Sequence, residues 1–227
     1  MGRWSWDRIA AGSGIVGVAG LLVGTFLPGS PPTVTDSRAK VIHYFVSHHR
    51  RGLVAEIIIG LGLLALIWFV GTISSAIRSK GQERLAAIAL GGGIAAIGIS
   101  FIGTAINTAI NTALFYSVAH DTLLARPLFI TSVVATTLIG FPAAALLFAV
   151  TIAAARSHMF PRWYVWPSGL AALALLFSGG ALATKGFYSP TGGYAIISFI
   201  VFVVWVVLTA VLLMTETRWT RLRRSLT

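Results

Sequence analysis

The chain contains no cysteine. No disulfide, thiolate nucleophile or Cys-ligated metal site can therefore form, and the compartment clue that cysteines give is lost with them. Acid is nearly as scarce: Asp and Glu number 6 in 227 residues. Catalysis by paired carboxylates has little to draw on. Charged residues of all kinds make up 10% of the chain, against about 25% in soluble domains. No H-E-x-x-H motif occurs, nor a G-x-S-x-G elbow with matching His and Asp. No histidine lies inside an apolar run, so haem held between spans is not expected. An outer metal site from His43, His48, His49 and His120 is the one arrangement left to the histidines, and neither metal nor cofactor is predicted.

Apolar residues fill the space: 56% of the chain is hydrophobic and the mean hydropathy is +0.87. This is the composition of a membrane protein. The net charge of +11 would suggest nucleic acid in a soluble protein. Here the basic residues lie between apolar runs, with no Lys/Arg face interleaved with aromatics, so no nucleic-acid partner is expected.

A spanning helix needs about 20 mostly apolar residues. Six runs qualify, at 9–27, 53–74, 85–108, 127–155, 168–184 and 195–214. The fifth is the shortest. With the N-terminus inside, eleven Lys/Arg lie on the inner side (Arg3, Arg8, Arg78, Lys80, Arg84, Arg156, Arg162, Arg218, Arg221, Arg223, Arg224) and six on the outer (Arg38, Lys40, Arg50, Arg51, Arg126, Lys185). The positive-inside rule then places both termini in the cytoplasm. Trp4, Trp6, Trp163, Tyr164, Trp166 and Trp219 map to the same inner boundary as an aromatic belt. "RWTRLRR" adds a polybasic tail, in which Arg218, Arg221, Arg223 and Arg224 suit anionic lipid headgroups. The first run is too long for a usual signal-peptide core, and no A-x-A site follows it, so it reads as a retained helix.

The first outer loop is the longest. After the turn-like "PGSPPTVTDS", Val41, Ile42, Phe45 and Val46 share one helical face, with Asp36 as the expected N-cap. Two readings stand: an amphipathic helix on the outer membrane surface, or a short soluble helix capping the bundle. Gly12, Gly17, Gly20, Gly24, Gly91–Gly93 and Gly179–Gly180 mark places where helices can approach closely. Pro142, in the fourth run, is expected to kink it. "AIRSKGQERLAAIAL" and "AARSHMFPRWYVWPSGLAALAL" echo each other and suggest a duplicated two-helix unit.

One short stretch concentrates the chemistry. "FVSHHRRGLVAEIIIG" carries two histidines and two arginines, then Glu56, the one acid predicted inside a span. An ionisable residue there marks a candidate site. If the helix enters the bilayer near Leu53, Glu56 lies about 5 Å deep. In the third run Thr104, Asn107, Thr108 and Asn111 are spaced to form one polar stripe at the same depth. The fourth run adds Thr131 and Ser132, flanked by Arg126, His120 and Asp121. Glu56, Thr104, Asn107, Thr108, Asn111 and Arg126 are the expected ligand-binding residues of an outward-facing cleft. The alternative is that they only join helices by hydrogen bonds.

At "FPRWYVWPSGLAALAL", and at "FLPGSPP" followed by "IHYFVSHHRRGLVAE", the chain resembles small six-span integral membrane proteins of actinobacteria, a group of unknown function. The resemblance extends over nearly the whole chain. It implies six membrane helices in the cell membrane and assigns no catalytic residue.

The expected molecule is thus an all-α polytopic bundle in one domain, 1–227, of six transmembrane helices with a short amphipathic helix. The leading functional expectation is a non-enzymatic protein that binds or passes a small ligand or joins a membrane complex, as a homo-oligomer or with other subunits. The rival expectations are an enzyme of lipid or envelope metabolism and a purely structural subunit.

Overall fold

The computed structural model describes the backbone of residues 3–116, 122–183 and 185–224, with side chains from 8–114, 124–183 and 185–215. The chain is 83% helical, with no strand among the described residues. The described residues form eight helices in order: α1 (Arg3–Phe26), α2 (Arg38–Ser47), α3 (His49–Arg78), α4 (Glu83–Tyr116), α5 (Thr122–Leu138), α6 (Gly140–Ser157), α7 (Arg162–Gly179) and α8 (Gly193–Arg224).

Among the described residues, five segments are long and apolar enough to cross a membrane: Arg8–Phe26, His49–Arg78, Glu83–Leu114, Leu124–Ser157 and Gly193–Thr215. This is the architecture of a multi-pass membrane protein. α7 has 18 residues and falls outside that set. Its first turns hold Arg162, Trp163, Tyr164, Trp166 and Pro167, which leaves a short apolar stretch, and the chain turns back at Gly180. At 1.5 Å per residue it still measures about 27 Å.

The long helices close a ring. α1 packs on α3, α3 on α4, α4 on α6, α6 on α7, α7 on α8, and α8 returns to α1. α5 packs against α4 and touches α6 and α7, and α2 lies across α4 and α5. The ring's outer faces are apolar and exposed, with Val16, Ile57, Leu61, Trp68, Ile102, Ile196 and Val204 all open to the surroundings. In lipid such faces incur no hydrophobic cost, so what holds the helices together is close packing and hydrogen bonds.

The closest packing is between α1 and α3. The backbones of Gly17, Gly20 and Gly62 meet there: a methyl group on Gly62 would lie 2.8 Å from the Gly17 carbonyl oxygen, and one on Gly20 would lie 3.0 Å from the Gly62 Cα. Gly14 meets the Phe69 ring. Gly91 is open, and a methyl group on Gly12 would lie 4.0 Å from Met214 Sδ; Gly92 sits on the α6 backbone at Pro142 and Gly93 on the Val70 side chain. A large apolar cluster fills the end of the ring away from α2. Tyr164 belongs to that core and not to a lipid-facing belt: it is fully buried, and its hydroxyl meets Thr209 Oγ1 at 2.7 Å. Trp163 and Trp166 do face outward, while the side chains of Trp4, Trp6 and Trp219 lie outside the described residues.

The fourth apolar run is two helices, interrupted at Ile139. Pro142 has no N–H to give the Leu138 carbonyl. The Ile139 N–H reaches the Thr136 carbonyl at 3.3 Å instead, and the ladder resumes from Ala143 to Ile139 at 3.0 Å. The expected kink is therefore a break three residues before the proline.

α2 is capped by Ser37, whose side chain accepts from the Lys40 N–H at 3.3 Å. Asp36 serves the preceding turn instead, accepting from Lys40 Nζ at 2.9 Å and from the Thr33 N–H at 2.7 Å. These bonds hold its carboxyl below the usual range, the Lys40 bond contributing most. Val41 and Phe45 of α2 are buried against Ile110, Ala125 and Phe129, while Val46 is exposed. One residue, His48, separates α2 from α3.

Candidate functional site

A cavity of about 430 Å³ opens inside the ring at the end that carries α2. It is of the size that holds a small organic ligand. Leu21, Ile59, Leu63, Leu66, Ile97, Phe199 and Phe202 make its apolar wall. Polar groups come from six helices: Thr25 of α1, Glu56 of α3, Ser100, Thr104 and Asn107 of α4, Thr136 and Thr137 of α5, Ser178 of α7, and Ser198 of α8. Helical periodicity explains how α3 and α4 reach it. Glu56, Ile59, Leu63 and Leu66 lie at i, i+3, i+7 and i+10, and Ser100, Thr104 and Asn107 at i, i+4 and i+7, each set on one face. A second cavity of about 200 Å³ lies between the end of α1, α2 and α3. Thr25, Glu56, Ile59 and Asn107 line both.

Antiparallel α3 and α4 are joined by two polar rungs. At the first, His49 Nδ1 lies 2.6 Å from Asn111 Oδ1, and the Asn111 amide donates to the His49 carbonyl at 3.3 Å. Both residues are buried. The amide lies directly over Gly52, where any β-carbon would collide with it, so glycine is needed at the foot of "HHRRG". At the second, the Thr104 and Asn107 side chains are hydrogen-bonding neighbours of the Glu56 carboxylate. Asn107 also ties in α5, its Oδ1 accepting from Ser132 Oγ at 2.9 Å.

Glu56 is nonetheless unsatisfied. Its Oε2 is buried and has no hydrogen-bond partner, and the same holds for Ser198 Oγ. Among the described residues these are the two such side-chain atoms, and both belong to residues of the large cavity. A buried polar atom left unpaired costs about 1–3 kcal/mol. In a helical bundle, where Ser and Thr readily bond the carbonyl a turn back, two such atoms around one cavity stand out.

The small cavity is walled by Tyr44, Phe45, His48 and Phe129. His48 stacks on Tyr44 with ring centroids 5.0 Å apart. Burial, and after it the Glu56 carboxylate, push the Tyr44 phenol above its ordinary pKa.

The structure thus brings Glu56, Thr104 and Asn107 together on the large cavity and Asn107 and Asn111 together on the small one. Thr108 lines neither, and Arg126 is exposed on α5, away from both. Asp121 and His120 lie outside the described residues, as do the side chains of Arg218, Arg221, Arg223 and Arg224. Thr25, Ser100 and Ser198 were not anticipated. Ser100 extends the α4 stripe by one turn. Ser198 stands alone in the apolar "AIISFIVFVV" and carries no spacing signal.

Comparison with protein-family models, with curated proteins and with solved structures finds no match. The site therefore rests on its own geometry. One expected outcome concerns its framework. Asn111→Leu keeps the branched shape of the side chain, at a larger volume, but removes both bonds to His49. It should lower stability by about 1–2 kcal/mol, measured as the unfolding midpoint of the purified protein in mild detergent, without changing helical content.

Proposed function

We propose that this protein is a non-enzymatic, six-span membrane protein that holds a small ligand in the cavity at the α2 end of the ring. α7 serves as the sixth span, shortened by its aromatic and basic first turns. Both termini face the cytoplasm, as the balance of basic residues favours, and the cavity then opens toward the outer leaflet. α2 caps the ring at the interface, with Val46 toward lipid headgroups. The basic residues Arg218, Arg221, Arg223 and Arg224 engage anionic lipids on the inner face of the plasma membrane. Assembly as a homo-oligomer or within a larger membrane complex fits a chain this small.

The observation that carries the ligand-binding reading is the unpartnered Glu56 Oε2, with Ser198 Oγ also unpaired in the lining of the same cavity and the Tyr194 hydroxyl its neighbour. A purely structural bundle gains nothing from these unpaired atoms. A catalytic role is less well supported, because no nucleophile–base pair lies among the cavity residues.

Ala195 lines the cavity, and Ala195→Phe plugs it. Native mass spectrometry of the gently solubilised protein should show a retained small molecule on the wild type that is missing from Ala195→Phe. Identical spectra for the two proteins would overturn the ligand-binding reading, and the same spectra report the oligomeric state.

A further inference from the structure

We infer that the ligand is an organic cation: an ammonium-bearing molecule with an apolar body, which reaches Glu56 through the aromatic chamber under α2. This rests on the ligand-binding reading above and specifies the chemistry of that same cavity.

Three hydroxyls on the wall of the large cavity have their protons committed to backbone carbonyls, while Ser198 Oγ has no partner and can donate or accept. Ser100 gives its proton to the Ala96 carbonyl at 2.9 Å. Thr136 and Thr137 both give theirs to the Val133 carbonyl, at 2.9 and 2.8 Å. What these hydroxyls turn to the cavity is lone pairs. The Thr104 and Asn107 side chains are engaged by Glu56, whose Oε2 remains an unpaired acceptor. No lysine or arginine is among the described residues lining either cavity. A carboxylate without a counter-ion, in a pocket whose nearby hydroxyls accept, is complementary to a positively charged donor. It opposes an anion by like charge.

The remaining surface sets the ligand's body. The cavity is far larger than a metal ion needs, and its walls are mostly leucine, isoleucine and phenylalanine. A bare inorganic cation would find too few oxygens there. An ammonium on an apolar frame satisfies both parts of the wall.

The small cavity supplies the approach. It meets the large one at Glu56 and Asn107, and Tyr44, Phe45 and Phe129 present three aromatic rings along it. Aromatic faces attract cations, ammonium groups among them. Arg50 and Arg51 are exposed, away from this chamber, so neither competes for Glu56.

The test uses three probes with one apolar body and different heads: phenylpropylamine, phenylpropanol and phenylpropionate. Each is titrated calorimetrically at neutral pH into the full-length protein in phosphatidylcholine nanodiscs, with protein-free nanodiscs as the partitioning control. The amine should bind most tightly, and Ala195→Phe should remove its binding. Glu56→Gln should weaken the amine by about tenfold or more while moving the alcohol less than about threefold. Alcohol or carboxylate binding as tightly as the amine would overturn the cation assignment and leave the ligand cavity standing. So would a Glu56→Gln protein that keeps the amine preference. Binding of none of the three would overturn both readings. Should Glu56→Gln fail to fold, the order of the three probes on the wild type decides alone.

Discussion

Gly62→Ala should destabilise the protein by about 2–3 kcal/mol, whereas Gly60→Ala, two residues away on the same helix, should be neutral or stabilise by about 0.5 kcal/mol. The difference lies in what a single methyl group meets. At Gly62 it would lie 2.8 Å from the Gly17 carbonyl oxygen and 3.3 Å from both the Gly20 Cα and the Leu21 nitrogen, all backbone atoms that no rotamer change can move. α1 would have to shift away from α3 as a body, losing dispersion contacts along the glycine-lined seam. In lipid no hydrophobic driving force restores such contacts. At Gly60 nothing lies within 4 Å of the added carbon, and the substitution only improves helix propensity. Denaturant unfolding of the two variants in the same detergent measures the contrast. Equal midpoints would mean that the α1–α3 seam is not what closes this side of the ring.

Asn107→Leu should cost about 2 kcal/mol and should do so largely through Glu56. The asparagine links three helices: it neighbours the Glu56 carboxylate on α3, belongs to α4 and accepts from Ser132 on α5. Ser132 has a second acceptor in the Phe129 carbonyl at 2.9 Å, so its loss is cushioned. The carboxylate has no such reserve, because Oε2 is already unpaired and only Thr104 would remain beside it. A double-mutant cycle with Glu56→Leu separates the terms. The coupling between the two positions should be about 1–2 kcal/mol, and Asn107→Leu in the Glu56→Leu background should be nearly silent. Strict additivity would remove Asn107 from its role as the support of the carboxylate.

Much of this framework is legible in the amino-acid sequence because the physics of a membrane segment is coarse. An uncharged run of about 20 residues permits few alternatives to a helix, and the five longest segments appear where those runs lie. What is less legible depends on angles and neighbours. The polar stripe of α4 is a case in point. At about 100° per residue, Ser100, Thr104, Asn107 and Asn111 fall within about 60° of arc, while Thr108 lies about 70° from their centre. Simple i+3 and i+4 spacing admits Thr108 and, stopped one turn short, omits Ser100. Arg126 sits beside Ala125 and Phe129, which are buried, and the helical turn carries it outward. Thr25 and Ser198 join the site only because α8 returns to α1 and closes the ring, a long-range pairing with no local signature. The break at Ile139 was readable as a proline effect, but its position was set by the carbonyl the proline cannot bond.

The contact between α8 and α1 has a consequence for biosynthesis. These helices are far apart in the chain, yet they are neighbours in the wall around Glu56, and α8 contributes Ser198, Phe199 and Phe202 to it. While the ribosome is still producing the earlier helices, that wall has a gap as wide as one helix, and the carboxylate is open to lipid or to whatever inserts beside it. The pocket comes into being only when α8 inserts and clasps α1. A chain halted before α8 is thus expected to retain most of its helices but no closed pocket, and a quality-control protease that senses an unsheltered acid within the bilayer would find its mark at Glu56.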